Sequence, residues 1–295
     1  MSKRKFGEYL QYEVFLIPVL LSFTIFTIIP LARTVAYSFT NFDGVTHIYR
    51  FVGIRNYVNM FQDDLVRGSI GNTLLYALAM VLIVNLLAIP LAVLLDNPAK
   101  SKTMERAVFF FPSVVSGLLL GFLWGYILSP TESGAVNSML GILHVSPVPW
   151  LSDPVISKLC ILGVAIWATT GWHTMVYIAY LQAIPGEYYE AARIDGASRF
   201  QIFAHITVPM LAPALTINTL LLLTNGLKVY DIPFAMTQGG PGYSNYTVTQ
   251  AILQRGISER QYGLSSAMST VFILIVMAVA VIQYTTMSRK ERDLT

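Results

Sequence analysis

Six stretches of the chain are almost purely apolar, at residues 14–37, 73–95, 107–128, 159–184, 208–228 and 265–287. A bilayer core of about 30 Å takes roughly 20 residues of helix to cross. Helix is also the form in which an open segment satisfies its own backbone in lipid. None of the six has a charge at its centre, and Asp96, Lys158 and Lys228 stand at run ends, from which a charged head reaches the headgroups. The pattern predicts an all-α membrane protein, a bundle of six transmembrane helices.

The polar breaks between runs are short. Those at 40–72, 129–158 and 229–264 carry turn formers such as Asn41-Phe42-Asp43-Gly44 and Gly239-Gly240-Pro241-Gly242, and each is too short for a large core of its own. The first run follows Lys3, Arg4 and Lys5 but exceeds the length of a signal-peptide core and leads to Arg33, so a retained first span is expected. In the third run Ser113, Gly117, Gly121 and Gly125 recur every four residues. On one helix they form a small-residue stripe that lets another backbone come close, within the chain or across a subunit interface.

Composition agrees with the pattern. The chain is 55% hydrophobic and 12% charged, about half the charged fraction usual in soluble domains, and its mean hydropathy is +0.59. A net charge of +3 gives no nucleic-acid footprint. The single Cys160, inside an apolar run, excludes an intrachain disulfide. Lysine and arginine placement sets orientation. One side collects Lys3, Arg4, Lys5, Lys100, Lys102, Arg106, Arg193, Arg199, Arg289, Lys290 and Arg292, against Arg50, Arg55, Arg67, Lys158, Arg255 and Arg260 on the other. Both termini and the segment after the fourth run are therefore expected in the cytoplasm.

That segment carries the most specific signal. Pro185-Gly186 ends the fourth run, and Glu187-Tyr188-Tyr189-Glu190-Ala191-Ala192-Arg193 reads as a short helix, with acids early and a base late as the helix dipole prefers. Gly196 suits a left-handed stop. Phe200 and Phe203 begin a second short helix able to anchor on the bundle, and Pro209 opens the fifth span. Ala191 and Ala192 present a small-residue patch with Glu190 beside it, a surface on which a carboxylate can pair with an incoming arginine.

Glu190-Ala191-Ala192, Gly196 and then Ile206, Val208 and Pro209 resemble the signature loop of binding-protein-dependent ABC importer permeases, with valine where leucine is usual. Phe51-Val52-Gly53-Ile54-Arg55-Asn56-Tyr57, Trp150-Leu151-Ser152-Asp153-Pro154, and Tyr230-Asp231 followed by Thr237-Gln238-Gly239-Gly240-Pro241-Gly242 resemble the sugar-importing branch. The resemblance implies a type I ABC importer permease with a cytoplasmic coupling helix. Residues 1–71 would form the tail, first span and outer loop, 72–287 a five-helix core with coupling loop 185–209, and 288–295 a cytoplasmic tail. Its implied partners are a second homologous permease, a cytoplasmic ATPase dimer that holds ATP and Mg²⁺, an extracellular sugar-binding protein, the sugar and membrane lipid, in a bacterial or archaeal cytoplasmic membrane. Glu190, Ala191, Ala192, Gly196, Ile206 and Pro209 would couple to the ATPase.

The chain has no phosphate-binding loop, no metal-ligand cluster and no nucleophile constellation, so neither cofactor nor metal is expected in it. An ion-coupled carrier would need intramembrane acids that the runs lack. A sugar path needs hydrogen-bonding groups and an aromatic face. Thr169, Thr170, Trp172 and His173 in the fourth run supply these, with Asn218, Thr224 and Asn225 in the fifth and Tyr230 and Asp231 beyond it. Trp172, Asn225, Thr169, Tyr230 and Asp231 are the candidate path residues. The same side chains suit helix–helix hydrogen bonding and interfacial anchoring. A phosphate ester or polyamine is the alternative solute.

Overall fold

The computed structural model describes residues 16–46, 48–96 and 101–292, with side chains up to residue 286. Lys3, Arg4, Lys5, the start of the first run, His47, Lys100, the side chains of Arg289, Lys290 and Arg292, and residues 293–295 lie outside it. Four helices are long and apolar enough to cross a membrane singly, and two bent helix pairs bring the total to six. The six-span expectation therefore holds, but two of the spans are broken.

The chain divides into two compact units. The first comprises residues up to Asp63 together with Ile252–Leu274. Its helix α1, Leu16–Ser38, leaves its apolar side chains uncovered, as a lipid-facing span does. An antiparallel bridge between Thr40 and Phe51 closes the loop that follows, and α2, Arg55–Gln62, returns beneath it. Asn56 of α2 is buried and donates to the Ser38 and Thr40 carbonyls, both at 2.8 Å. Gly263, at the start of α13 (Tyr262–Arg292), lies so close that a Cβ there would stand 2.1 Å from the Thr40 oxygen. Arg255 joins Asp63, at 2.8 Å, and Glu259 in one ion-pair cluster, and its hydrogen bond to Asp63 raises its own pKa.

The second unit is built around α7, Pro154–Leu181. Asp153 caps it by accepting from the Val155 and Ile156 amides at 2.8 Å, and Pro154 stands at the first turn, where its missing N–H costs nothing. Against α7 pack α3 (Asp64–Leu95) and α4 (Lys102–Val114). The pair α5 (Gly117–Ile127) and α11 (Asp231–Thr237), and α10 (Ala212–Leu227), complete the layer. Short helices α6 (Ala135–Ile142) and α12 (Val248–Leu253) lie in connections. One apolar cluster centres on Tyr76, Val84, Ile161 and Leu222, and a second on Ala88, Tyr177, Leu211 and Ala214.

The third run is not one helix. The chain turns by 93° between α4 and α5, where Val115 is extended, three residues after Pro112. Ser113 consequently belongs to α4, and the four-residue stripe expected on one helix is cut to Gly117, Gly121 and Gly125 of α5. These three face α11 of the same chain: a Cβ on Gly121 would come 2.5 Å from the Ala235 Cβ. The close approach is packing within the subunit.

The fifth run is also bent, by 66°, between α9 (Arg199–Met210) and α10. Pro209 does not open the span as expected but sits near the end of α9, and Pro213 occupies the first turn of α10. Lacking an N–H, Pro209 cannot bond the carbonyl one turn back, and the preceding segment Phe203–Thr207 widens into a π-helix in which the Val208 amide reaches the Phe203 oxygen.

Candidate coupling loop and solute path

The loop between α7 and α10 starts from a tied corner. The Arg106 guanidinium donates to the last carbonyl of α3, Leu95, at 3.0 Å and to Asp96 at 3.3 Å, satisfying an orphan helix end with a cation where the dipole is negative. Gln182, which caps α7, donates to the same Asp96 carboxylate at 3.0 Å. The ends of α3, α4 and α7 are thus held at one point.

From there α8 runs Gly186–Ile194 and buries none of its residues. Its termination is local. Gly196 takes φ 77°, the Gly196 amide bonds the Arg193 carbonyl at 3.1 Å, and the Ala197 amide bonds that of Ala192 at 2.9 Å. This pair of bonds is a Schellman reversal that needs a residue tolerant of positive φ. Ser198 then caps α9 with a reciprocal box: its hydroxyl accepts from the Gln201 amide, and the Gln201 side chain accepts from the Ser198 amide at 2.8 Å. Tyr189 and Thr207 hydroxyls lie 3.4 Å apart across the loop.

Glu190, Ala191 and Gly196 are exposed, Ala192 is half-buried on the side toward the bundle, Ile206 is half-buried and Pro209 exposed. Glu190 and Ala191 therefore sit on the free face of α8, whereas Ala192 turns partly inward. Phe200 does not anchor the second helix: it is 76% exposed, and Phe203 alone turns inward.

The path candidates do not converge. Trp172 is 41% exposed and stands edge-on to His173, ring centroids 4.8 Å apart. Asn225 is exposed. The Thr169 hydroxyl donates back to the Ala165 carbonyl at 2.6 Å, so it is already bonded within its own helix. Tyr230 stacks on Phe234 at 5.0 Å, and Asp231 lies at the start of α11 with its Cβ about 3.0 Å from where a Gly117 Cβ would be. Among the described residues no hydrogen bond or ring contact joins any two of these five.

Other polar groups in the spans pair with each other. His173 Nδ1 and Asn218 Oδ1 are 2.7 Å apart and both residues are buried. The Tyr177 hydroxyl donates to Asn85 at 2.7 Å, and Asn85 donates to Thr219 at 3.2 Å. Asn85 was absent from the candidates, although an asparagine inside an apolar run is a signal of a partner on another helix. A cavity of about 640 Å³ bordered by Leu86, Pro90, Phe109, Trp167 and Gly171 is mainly apolar. Among the described residues no three His, Cys, Asp or Glu side chains could hold a metal ion.

A bundle of broken and unbroken spans, with a braced helix displayed between the fourth and fifth, defines a membrane permease of the type I ABC importer fold. The chain belongs to the family of binding-protein-dependent transport system inner membrane components, whose model matches residues 66–293. It is therefore a transport component and not an enzyme. It is 32% identical over 286 residues to the multiple sugar-binding transport system permease protein MsmF of Streptococcus mutans, covering 96% of this chain and 97% of the other. It is 30% identical to the probable starch degradation products transport system permease protein AmyD of Thermoanaerobacterium thermosulfurigenes, covering 97% of each. Among solved structures it matches a chain of a bacterial ABC transporter that imports the acidic polysaccharide alginate, with a TM-score of 0.84 and 22% identity, covering 97% of this chain and 98% of that one.

Proposed function

We propose that this chain is one permease subunit of an ATP-driven importer that moves a sugar, an oligosaccharide in its main use, across a bacterial or archaeal cytoplasmic membrane. An extracellular binding protein delivers the sugar, a second homologous permease completes the pathway, and a cytoplasmic ATPase dimer binds ATP and Mg²⁺. Both termini and α8 face the cytoplasm. The sugar assignment is supported by the names of the relatives, which are permeases for sugars and starch products.

The observation that carries the coupling role is α8 itself. A nine-residue helix that buries nothing yet is closed at its end by a Schellman reversal followed by a capping box keeps its shape without covering itself. Glu190 and Ala191 on its free face meet the ATPase, and Gly196 sets the turn that presents them. Ala192, Ile206 and Pro209 support the loop from the bundle side. Trp172 and Asn225 line the sugar path, with Thr169, Tyr230 and Asp231 beside it, and the route is completed by the second permease.

Charge reversal at Glu190 tests the coupling. Glu190→Lys is expected to leave membrane insertion and thermal stability of the chain unchanged, because the side chain is exposed, while weakening ATPase association by about 2–5 kcal/mol through an attraction turned to repulsion. Co-purification of a stoichiometric complex that still hydrolyses ATP in response to loaded binding protein would sink the proposal.

A further inference from the structure

Between α8 and the bundle lies a cleft of about 810 Å³. The ends of α3 and α7 wall it on one side through Val93 and Leu181, and α8 and α9 on the other. Its lining has two characters. Val93, Leu181 and Phe203 give an apolar floor, and Arg193, Arg199, Tyr189 and Thr207 give a polar rim. The one acid of the lining, Asp96, is already engaged by Arg106 and Gln182 at 3.3 and 3.0 Å. Among the described residues the ion pairs involve Arg67, Arg106 and Arg255, so Arg193 and Arg199 have no acidic partner. Two uncompensated guanidinium groups and two hydroxyls thus surround an opening whose base is hydrocarbon.

A guanidinium presents a planar fork of donors that matches phosphate oxygens, and hydroxyls complete such a shell. The apolar floor adds a requirement that an inorganic anion does not meet, since it must be covered by apolar groups to be kept from water. Val93 and Leu181 of its lining belong to the last turns of α3 and α7, two helices long and apolar enough to cross a membrane, and the ends of such helices come near the headgroups. Basic pockets at this level are where anionic headgroups are taken up.

We propose that the Arg193–Arg199 cleft binds the phosphate of an anionic membrane phospholipid, with the start of its acyl chains on the Val93–Leu181–Phe203 floor, and so fastens the segment from α8 to α9 to the bilayer. This site is separate from the coupling face of α8 and holds whether or not that face meets an ATPase.

The test is made on the purified full chain without its ATPase, in nanodiscs of phosphatidylcholine alone or mixed with phosphatidylglycerol, followed by native mass spectrometry. Wild type is expected to retain phosphatidylglycerol in preference to phosphatidylcholine, and R193Q/R199Q to retain about tenfold less. R193K/R199K, which keeps the charges but loses the planar forks, is expected to fall between them. Equal thermal unfolding of the variants in phosphatidylcholine shows that the loss is one of binding. Displacement of retained phosphatidylglycerol by excess inorganic phosphate supports a phosphate-specific contact. Binding of inorganic phosphate with no lipid retained overturns the lipid assignment and gives the arginines to a soluble anion. Equal retention of the two lipids by wild type overturns the proposal without recourse to any variant. Unchanged lipid retention in R193Q/R199Q overturns it too, and if a separate preparation made with the ATPase then loses co-purification of the two, the arginines belong to a protein interface.

Discussion

The packed layer around α7 and the loop that follows it hold their shapes by different means. Around α7 the backbones nearly touch. A Cβ on Gly171 would stand 1.9 Å from the Phe109 carbonyl oxygen of α4, and one on Gly226 of α10 would stand 2.7 Å from the Ala77 Cα of α3. Asparagines there are answered from distant sequence, as when Asn72 of α3 donates to the Ser244 and Tyr246 carbonyls at 2.7 and 2.9 Å, and Asn245 donates to Ser157 at 2.9 Å. In the loop the backbone and capping bonds of the 186–202 segment join residues five or fewer apart, and the longer reach from Tyr189 to the Thr207 hydroxyl is the loose one, at 3.4 Å. One region is ordered by what surrounds it, the other by its own sequence, and the second is thereby free to offer its surface to another molecule.

That contrast is sharpest at Gly171. Gly171→Leu is expected to separate α4 from α7 at a cost of about 3 kcal/mol or more, read as a collapse of folded yield and melting temperature in detergent. A normal yield would mean that the two helices can part without consequence, and the tertiary side of the comparison would fail. Asn72→Ala removes an amide NH2 whose two N–H groups serve two carbonyls, at a cost of about 1–3 kcal/mol, measured by chemical or thermal unfolding. Smallest in global terms is Gly196→Ala. A left-handed non-glycine residue costs about 1–2 kcal/mol, but the expected loss is confined to α8, seen as faster amide exchange over 186–194 with the melting temperature of the bundle unchanged. A drop in global stability there would show that the loop is braced by the bundle after all.

The same distinction decides what could be read from the chain. The ends of α8 follow from Pro185, Gly196 and Ser198, whose effects reach only a turn or so along the backbone, and the expected helix 187–193 differs from the observed one by a residue at each end. Apolar runs located all six spans because transfer into lipid is a sum over residues and is indifferent to their order. For that reason it carried no information on the bends at Val115–Ser116 and Leu211. Pro112 and Pro213 were the local marks, and Pro209 drew attention to the wrong side of the second bend. Exposure of Trp172 and burial of Asn218 depend on which helix stands opposite, which no periodicity along one span records. His173 and Asn218 lie 45 residues apart in sequence; polar side chains in apolar runs favour bonding between helices, but nothing along either run says that these two are each other's partners.

The bend in the third span has a further consequence, which concerns water. From Val115 to Gly117 the helical ladder stops, Ser116 offers the new helix no side-chain cap, and the leading amides of α5 have no acceptor one turn back. Hydrocarbon has no acceptor to offer them. Irregular backbone at membrane depth persists only against protein or along a wet cavity, and here the exposed Ser116 and the Asp231 carboxylate beside Gly117 mark the same spot. Lipid tails are therefore kept from this corner of the bundle, and whatever covers it in the membrane has to be hydrated or to carry hydrogen-bonding groups of its own.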